Sequence, residues 1–404
     1  MLNRRSALKV LNGAVVGLAA AAVFGPPAGA AAQAAPLEVT LGALMRKRPP
    51  PPLYEIDPVP PDEGAAGAAL AAVDNNTTGR FTQQHYTLNQ MVLEGGQAAP
   101  EAAAKLVDGG AGFLLVDLGP DELLAVVDAL KGRDAVIFNV SAADDRLRGA
   151  DCRGRLFHVA PSRAMLTDAL AQYFAAKRWS KLFLIVGPKP GDALYAEAMR
   201  ASARKFGLKI AAEKPWEFGP LARARGDSVT QADALVFTRG TDYDIMVVAD
   251  EAGDFGDYIP FRTWDARLVA GTQGLVATSW HRAQDAWGSA QLQSRFYKEA
   301  KRFMRPVDYQ AWTAMRAVGE AVTRLKSASP SAVADYLVSD AFQLAAFKGV
   351  PVTFRPWDRQ LRQPILLAQP SAIVGVAPLP GFLHQRTVLD TLGTDLPETA
   401  CHQT

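Results

Sequence analysis

A chain of 404 residues is too long for one ordinary hydrophobic core, so two lobes are expected. With 49% hydrophobic and 21% charged residues it falls among globular proteins, which excludes extended disorder and a polytopic membrane protein. A formal net charge of +2 leaves no footprint for nucleic acid or acidic lipid.

The chain opens with a basic start (Arg4, Arg5, Lys9), an apolar stretch from Val10 to Phe24, and small residues at Ala30-Ala31-Ala32-Gln33-Ala34. That order is the pattern of a secretory signal peptide over residues 1–34. Asn3 to Lys9 also fits a twin-arginine signal, with Ala7 where a bulky apolar residue is usual, so Sec and twin-arginine export both stay open. The apolar run, about 15 residues, is short of the ~20 that a membrane span needs. Removal of the segment leaves a net charge of −1, so recognition by charge has to be local.

From Leu37 onward, short continuous apolar runs alternate with helical patterns. Val39–Leu44, Phe113–Val116, Ala135–Phe138, Leu182–Val186, Ala234–Phe237 and Leu275–Ala277 read as strands covered on both faces. Helices are expected over Asp121–Leu130, Thr167–Lys177, Ala193–Phe206, Ser289–Met304 and Tyr309–Leu325. Strand–helix units recurring in this way imply an α/β fold with parallel sheets and right-handed crossovers. Two stretches break the rhythm. Arg46 to Asp62 holds seven prolines, which favours a stiff extended loop, either at a cleft mouth or as a solvent-exposed insertion. The tail after Gly381 is weakly patterned and reads as either a wrap around a lobe or a frayed end. Cys152 and Cys401 form either a disulfide that pins this tail to the body or two free thiols.

The sequence carries no P-loop, no dinucleotide fingerprint after the first strand, no nucleophile elbow and no His-Glu-x-x-His motif. His85, His158, His281, His384 and His402 are scattered, and His158 reads as a satisfied core histidine. A non-catalytic binding protein without a cofactor needs none of these parts.

The stretch Phe347-Lys348-Gly349-Val350-Pro351-Val352-Thr353-Phe354-Arg355-Pro356-Trp357-Asp358-Arg359-Gln360 resembles the type I periplasmic binding proteins, the group that includes the leucine/isoleucine/valine receptors. The apolar strand Ile365–Gln369 after it and the helix Tyr309–Leu325 before it carry the same resemblance. Asp74-Asn75-Asn76-Thr77-Thr78-Gly79-Arg80-Phe81 is similar to a subgroup found beside pyrroloquinoline-quinone-dependent alcohol dehydrogenase systems. The resemblance implies two Rossmann-like lobes joined by a three-segment hinge, with crossings near Ala160, Ser279 and Ala346. Residues 35–160 with 280–345 would form one lobe, and 161–279 with 346–404 the other. It further implies a monomeric periplasmic receptor that hands a small molecule or metal complex to an ABC permease in the inner membrane. Its rivals are a sensor or accessory protein that binds a protein partner, and a periplasmic enzyme.

In open α/β sheets ligands bind at the carboxyl ends of strands. That rule selects Asp117 and Asp121, then Ser141, Ala142 and Asp144, then Asp192, then Asp242 and Tyr243, and finally Trp264 and Asp265 after Ile259–Phe261. By resemblance, Ser141 and Ala142 fall in a loop that receives a ligand carboxylate, and Asp265 near a position that receives an ammonium with Trp264 as a stacking face. The other carboxylate loop, Gly119-Pro120-Asp121-Glu122, offers a proline without an N–H and two repelling charges, which argues against a branched-chain amino acid. The carboxylates of Asp117, Asp121, Asp144, Asp145, Asp242 and Asp265 have two readings: an acidic cleft for a hard cation, or helix caps and solvated loop charges.

Overall fold

The computed structural model describes residues 36–48, 50, 57–218 and 233–402. The expected signal segment, and residues 49 and 51–56 of the proline-rich stretch, lie outside these residues.

The first lobe runs β1 (Leu37–Arg46), α1 (Ala65–Thr82), β2 (Gln84–Leu93), α2 (Ala99–Asp108), β3 (Phe113–Asp117), α3 (Pro120–Ala129), β4 (Val136–Asn139) and β5 (Leu156–His158). Its five strands are all parallel in the order β2-β1-β3-β4-β5. The chain then enters the second lobe through α4 (Arg163–Ala176), β6 (Lys181–Val186), α5 (Pro190–Lys205), β7 (Lys209–Pro215), α6 (Ala234–Phe237), β8 (Ile245–Ala249), β9 (Val269–Gly271) and β10 (Leu275–Thr278). It returns to the first lobe with α7 (Ser289–Ala300), α8 (Pro306–Leu325), α9 (Pro330–Leu337) and the small ribbon β11 (Thr353–Phe354) and β12 (Leu361–Arg362). It finishes on the second sheet with β13 (Ile365–Gln369) and β14 (Ala372–Ala377), giving the order β14-β13-β10-β9-β8-β6-β7. Only the β10–β13 and β13–β14 pairings in that sheet are antiparallel.

Each sheet is covered on both faces, which is why its central strands, such as β3, β6 and β8, read as unbroken apolar runs, while the edge strands β2 and β7 alternate in burial. In the first lobe α1, α7, α8 and α9 cover one face, with Phe138, Phe157, Tyr309 and Met315 in the core. Helices α2 and α3 cover the other with Ala103, Leu106, Leu123 and Val126. In the second lobe α4 and α5 pack Leu170, Phe174 and Met199 on one face. Trp216, stacked on Phe255 at 4.7 Å, closes the other.

Two expectations are corrected. Ala234–Phe237 is a short helix, not a strand: the Asp233 carboxylate accepts the Leu235 N–H at 2.9 Å and caps it. The strand is the overlooked apolar run Ile245–Ala249. Ile259–Phe261 ends a tight helical turn, because the Asp250 carboxylate gathers the N–H groups of Asp254, Phe255 and Gly256 and so winds the chain before it.

Three further features lie near the lobe boundaries. Ala346, Val352, Phe354 and Leu361 pack in the core of the first lobe. Arg355 and Arg362 both donate to Asp390, at 2.9 and 2.8 Å, and so hold the C-terminal tail. The tail also meets α4 and α5, where the Gly393 N–H donates to Asp168 at 2.8 Å, and Cys401 then joins Cys152 of the first lobe across a Cα–Cα distance of 5.6 Å.

Candidate functional site

Strand order places the site. In β2-β1-β3-β4-β5 the direction of winding reverses between β1 and β3, and in the second sheet it reverses between β6 and β8. At such a switch point the flanking loops diverge and leave a crevice at the carboxyl ends of the strands. Here both crevices face one cleft of about 840 Å³, lined by Arg46, Asp117 and Ser141 from the first lobe and by Arg163, Glu251 and Thr272 from the second. That volume lies within the range of small-molecule pockets, ~300–1,000 Å³.

At the centre is Arg163, the first residue of α4, which is 8% exposed. Its guanidinium grips Glu251 of the second lobe with two hydrogen bonds of 2.8 and 2.7 Å. A third nitrogen lies 3.0 Å from the Asp144 carboxylate of the first lobe. Burial pulls the Arg163 pKa down, but the two carboxylates outweigh it and hold the group firmly protonated. One planar fork thus ties the lobes together beside the cleft.

The supports behind this centre are buried. Arg148 donates to the carbonyls of Ala142, Asp144 and Ala160 at 2.9, 3.0 and 2.7 Å, and so shapes the loop before α4. Burial pulls Arg148 down to about 10, against the opposing charges of Asp145, Asp358 and Asp144. Asp192 is buried and accepts the N–H groups of Lys189 and Glu251 at 3.0 and 2.7 Å, which sets the loop after β8. Burial raises the Asp192 pKa, and those N–H bonds work against the rise. Tyr195, on the cleft wall, has its phenol pushed up by burial and by the charge of Glu251.

Four of the residues expected from sequence line the cleft: Asp117, Ser141, Ala142 and Asp144. Arg48 lies 3.4 Å from Asp117 and 3.0 Å from Glu63. The N–H groups of Ser141 and Ala142 donate to the Asn139 side chain at 3.2 and 2.9 Å, so they are already engaged. Asn139 also meets buried His158 at 3.1 Å. Burial and the charge of Arg148 hold that imidazole well below its ordinary pKa, as a core histidine. Asp192 lies beneath the cleft wall, and Asp121 turns outward to pair with Arg146.

The remaining four are not brought to the cleft. Asp242 pairs at 2.6 Å with Lys181, the first residue of β6. Tyr243 packs on Phe183 at 5.4 Å, and its phenol is pushed up to about 12 by burial, with the charge of Asp265 adding. Trp264 lies under the Arg239 guanidinium at 4.5 Å, and the Asp265 carbonyl accepts the Thr263 hydroxyl at 2.6 Å. All four sit at the amino ends of β6, β8 and β9, because Ala234–Phe237 and Ile259–Phe261 are not strands and the positions after them are not strand carboxyl ends. Nor do the six carboxylates form an acidic basin. Among the described residues no group of three or more His, Cys, Asp or Glu side chains is arranged to hold a metal ion.

Sequence reading missed Arg46, Arg163, Asp250, Glu251 and Thr272. The strand-end rule, applied to the end of β1 and to the run Ile245–Ala249, reaches Arg46, Asp250 and Glu251. Arg163 follows a crossing instead of a strand and carries no such signal.

A sequence profile described as periplasmic binding protein matches residues 95–372. No curated protein matches the chain by sequence. Among solved structures, a branched-chain amino acid ABC transporter ligand-binding protein from Burkholderia xenovorans is similar with a TM-score of 0.67 at 18% identity, covering 84% of this chain and 95% of its own. A branched-chain amino acid transporter substrate-binding protein from Streptococcus pneumoniae, in complex with isoleucine, gives 0.62 at 14% identity over 84% and 98%. A solute-binding protein from R. palustris in complex with benzoate gives 0.63 at 12% identity over 90% and 99%. At these identities the likeness is one of fold.

Proposed function

Since the chain belongs to the periplasmic binding protein family, we propose that it is the solute-binding component of an ABC-type uptake system, capturing a small molecule between its lobes and presenting it to an inner-membrane permease. The observation that carries this reading is the cleft itself, where the switch points of a parallel and a largely parallel sheet meet and Arg163 bridges Asp144 to Glu251. On this reading the hinge segments run near Ala160, near Ser279 and near Pro364. The last replaces Ala346, since Val352, Phe354 and Leu361 support assigning the stretch before Pro364 to the first lobe. Ligand contacts both lobes, the closed form is thereby favoured, and closure is what the permease reads.

The ligand differs in kind from an aliphatic amino acid. Pro120 offers no N–H, and the Ser141 and Ala142 donors are taken by Asn139. A ligand linked to quinone-dependent alcohol oxidation is supported by the stretch Asp74–Phe81. In the fold that stretch lies on α1, where Asp74 accepts the Trp312 indole N–H at 2.9 Å.

The test is a melting-temperature screen of the mature protein against amino acids, aromatic and aliphatic acids, quinones, alcohol-oxidation products and metal ions. A ligand at a hundredfold excess over its Kd adds about 2.7 kcal/mol to stability. The expected result is a shift with one chemical class that weakens in Asp144→Asn. No shift with any member, together with a shift on adding a quinone-dependent dehydrogenase, would turn the reading toward an accessory protein.

A further inference from the structure

A second cavity, of about 870 Å³, lies beside the hinge segments and shares no lining residue with the cleft. Both lobes build it. Trp287, Lys348 and Val350 come from the returning segment of the first lobe, and Ala377, Arg386 and Val388 from the end of β14 and the tail.

Its walls combine apolar and polar side chains, and one of the apolar walls is built at a cost. Trp287 is 51% exposed and sits at φ 55°, a left-handed conformation that an aromatic residue rarely adopts. Its indole lies on Gly349 so closely that a Cβ there would come within 2.6 Å of the ring. An exposed aromatic held over a glycine by a strained backbone is the kind of feature that clusters at ligand clamps. Val350 and Val388, each 46% exposed, continue the apolar surface.

The charge in the cavity is unbalanced by one: with Arg362 set against Asp390, the cations Lys348 and Arg386 face a single carboxylate in the lining, the exposed Asp340. Lys348 is 2% exposed, donates to the carbonyls of Ser279 and Pro364 and lies 5.0 Å from the Tyr309 ring. Arg386 rests beside the Trp357 ring at 6.0 Å. Neither cation has a carboxylate partner among the described residues. Arg362 is matched by Asp390, which Arg355 also engages. Burial pulls the Lys348 ammonium down to about 7, a measure of how strongly that position favours either a counter-charge or loss of the proton.

We propose that this cavity is a second binding site, for a small amphiphilic monocarboxylate, with its apolar body against Trp287, Val350 and Val388 and its carboxylate toward Arg386, backed by Lys348. Such a ligand supplies the missing negative charge and covers the exposed indole. Because both lobes wall the cavity, its occupancy is coupled to the angle between them.

Calorimetric titration of the mature protein with naphthoate and octanoate tests the site, with naphthalenemethanol and octanol as uncharged probes and indole fluorescence as a second readout. The acids are expected to bind and the alcohols to bind at least tenfold more weakly, as loss of a charge-assisted contact implies (about tenfold or more). Arg386→Ala, at an exposed position, should weaken the acids by about tenfold. Trp287→Ala should weaken them and abolish the fluorescence change. The proposal is overturned if no acid binds, if the alcohols bind equally well, or if Arg386→Ala has no effect.

Discussion

Arg163→Gln removes a single guanidinium that two lobes share, and the structure allows its cost to be worked out arm by arm. The Arg163 and Asp144 side chains are 9% and 11% exposed, whereas Glu251 is 27% exposed. Removing one partner of a buried pair costs about 3–5 kcal/mol, chiefly because the stranded charge stays desolvated. Glu251 can rehydrate after a small rotation, and glutamine still donates one hydrogen bond, so the expected loss is nearer to ~2–3 kcal/mol. For lobes of this size that corresponds to a fall in Tm of roughly 5–10 °C. The two arms separate in single variants. Asp144→Asn removes only the arm from the first lobe, so it should widen the mean lobe separation in small-angle X-ray scattering while lowering Tm modestly. Glu251→Gln acts within the second lobe, so it should lower Tm without comparable widening. If Asp144→Asn left the scattering curve unchanged while Glu251→Gln opened the molecule, the guanidinium would not be what holds the lobes together.

Three further outcomes follow from single contacts. Asp192→Ala releases the N–H groups of Lys189 and Glu251. It should cost about 1–3 kcal/mol in thermal unfolding and raise hydrogen exchange at Glu251 and Ala252, and unchanged exchange there would refute the role given to Asp192. Cys401→Ser frees the tail beyond Gly393 from the first lobe. Its loss should fall in the ~2–4 kcal/mol range of such bridges, with new proteolytic cleavage between Thr394 and Cys401, and resistance equal to the parent would count against the staple. Lys348 is protonated in the unfolded chain up to its ordinary pKa of 10.5, but in the fold only up to about 7. Between those values the unfolded state binds more protons, so stability rises with pH, by up to about 1.4 kcal/mol per unit. Lys348→Met should therefore flatten the rise in Tm from neutral pH toward pH ~9.5, and parallel curves for the two proteins would contradict that account.

How much of this was legible in the sequence depended on what each signal reports. Continuous apolar runs such as Phe113–Val116 and Leu182–Val186 report burial on two faces, and both became central strands. Ala234–Phe237 gave the same signal for another reason: Ala234 is buried as one residue of a short capped helix. A run of four apolar residues fits either element, and what decided this one was the Asp233 cap, which a residue-type count does not weigh. The mistake moved the expected site along the chain, because residues named by the strand-end rule shift with the strand. Asp242, Tyr243, Trp264 and Asp265 thus came from the amino ends, while Glu251 and Thr272 went unnamed.

The less legible part of the site depends on contacts between residues far apart in sequence. Arg163 meets Glu251 88 positions away, and Arg148 meets Gln360 212 positions away. No local pattern marks such partners: each arginine looks, in sequence, like any other at the edge of a helix. The topology explains why they are nevertheless placed reliably. Arg163 directly follows a crossing between lobes, so its position is fixed by both sheets at once, and a long fork there reaches Asp144 on one side and Glu251 on the other. A shorter or singly directed side chain at that position would belong to one lobe only. The residue after this crossing thus joins one strand-end carboxylate from each lobe, Asp144 after β4 and Glu251 after β8.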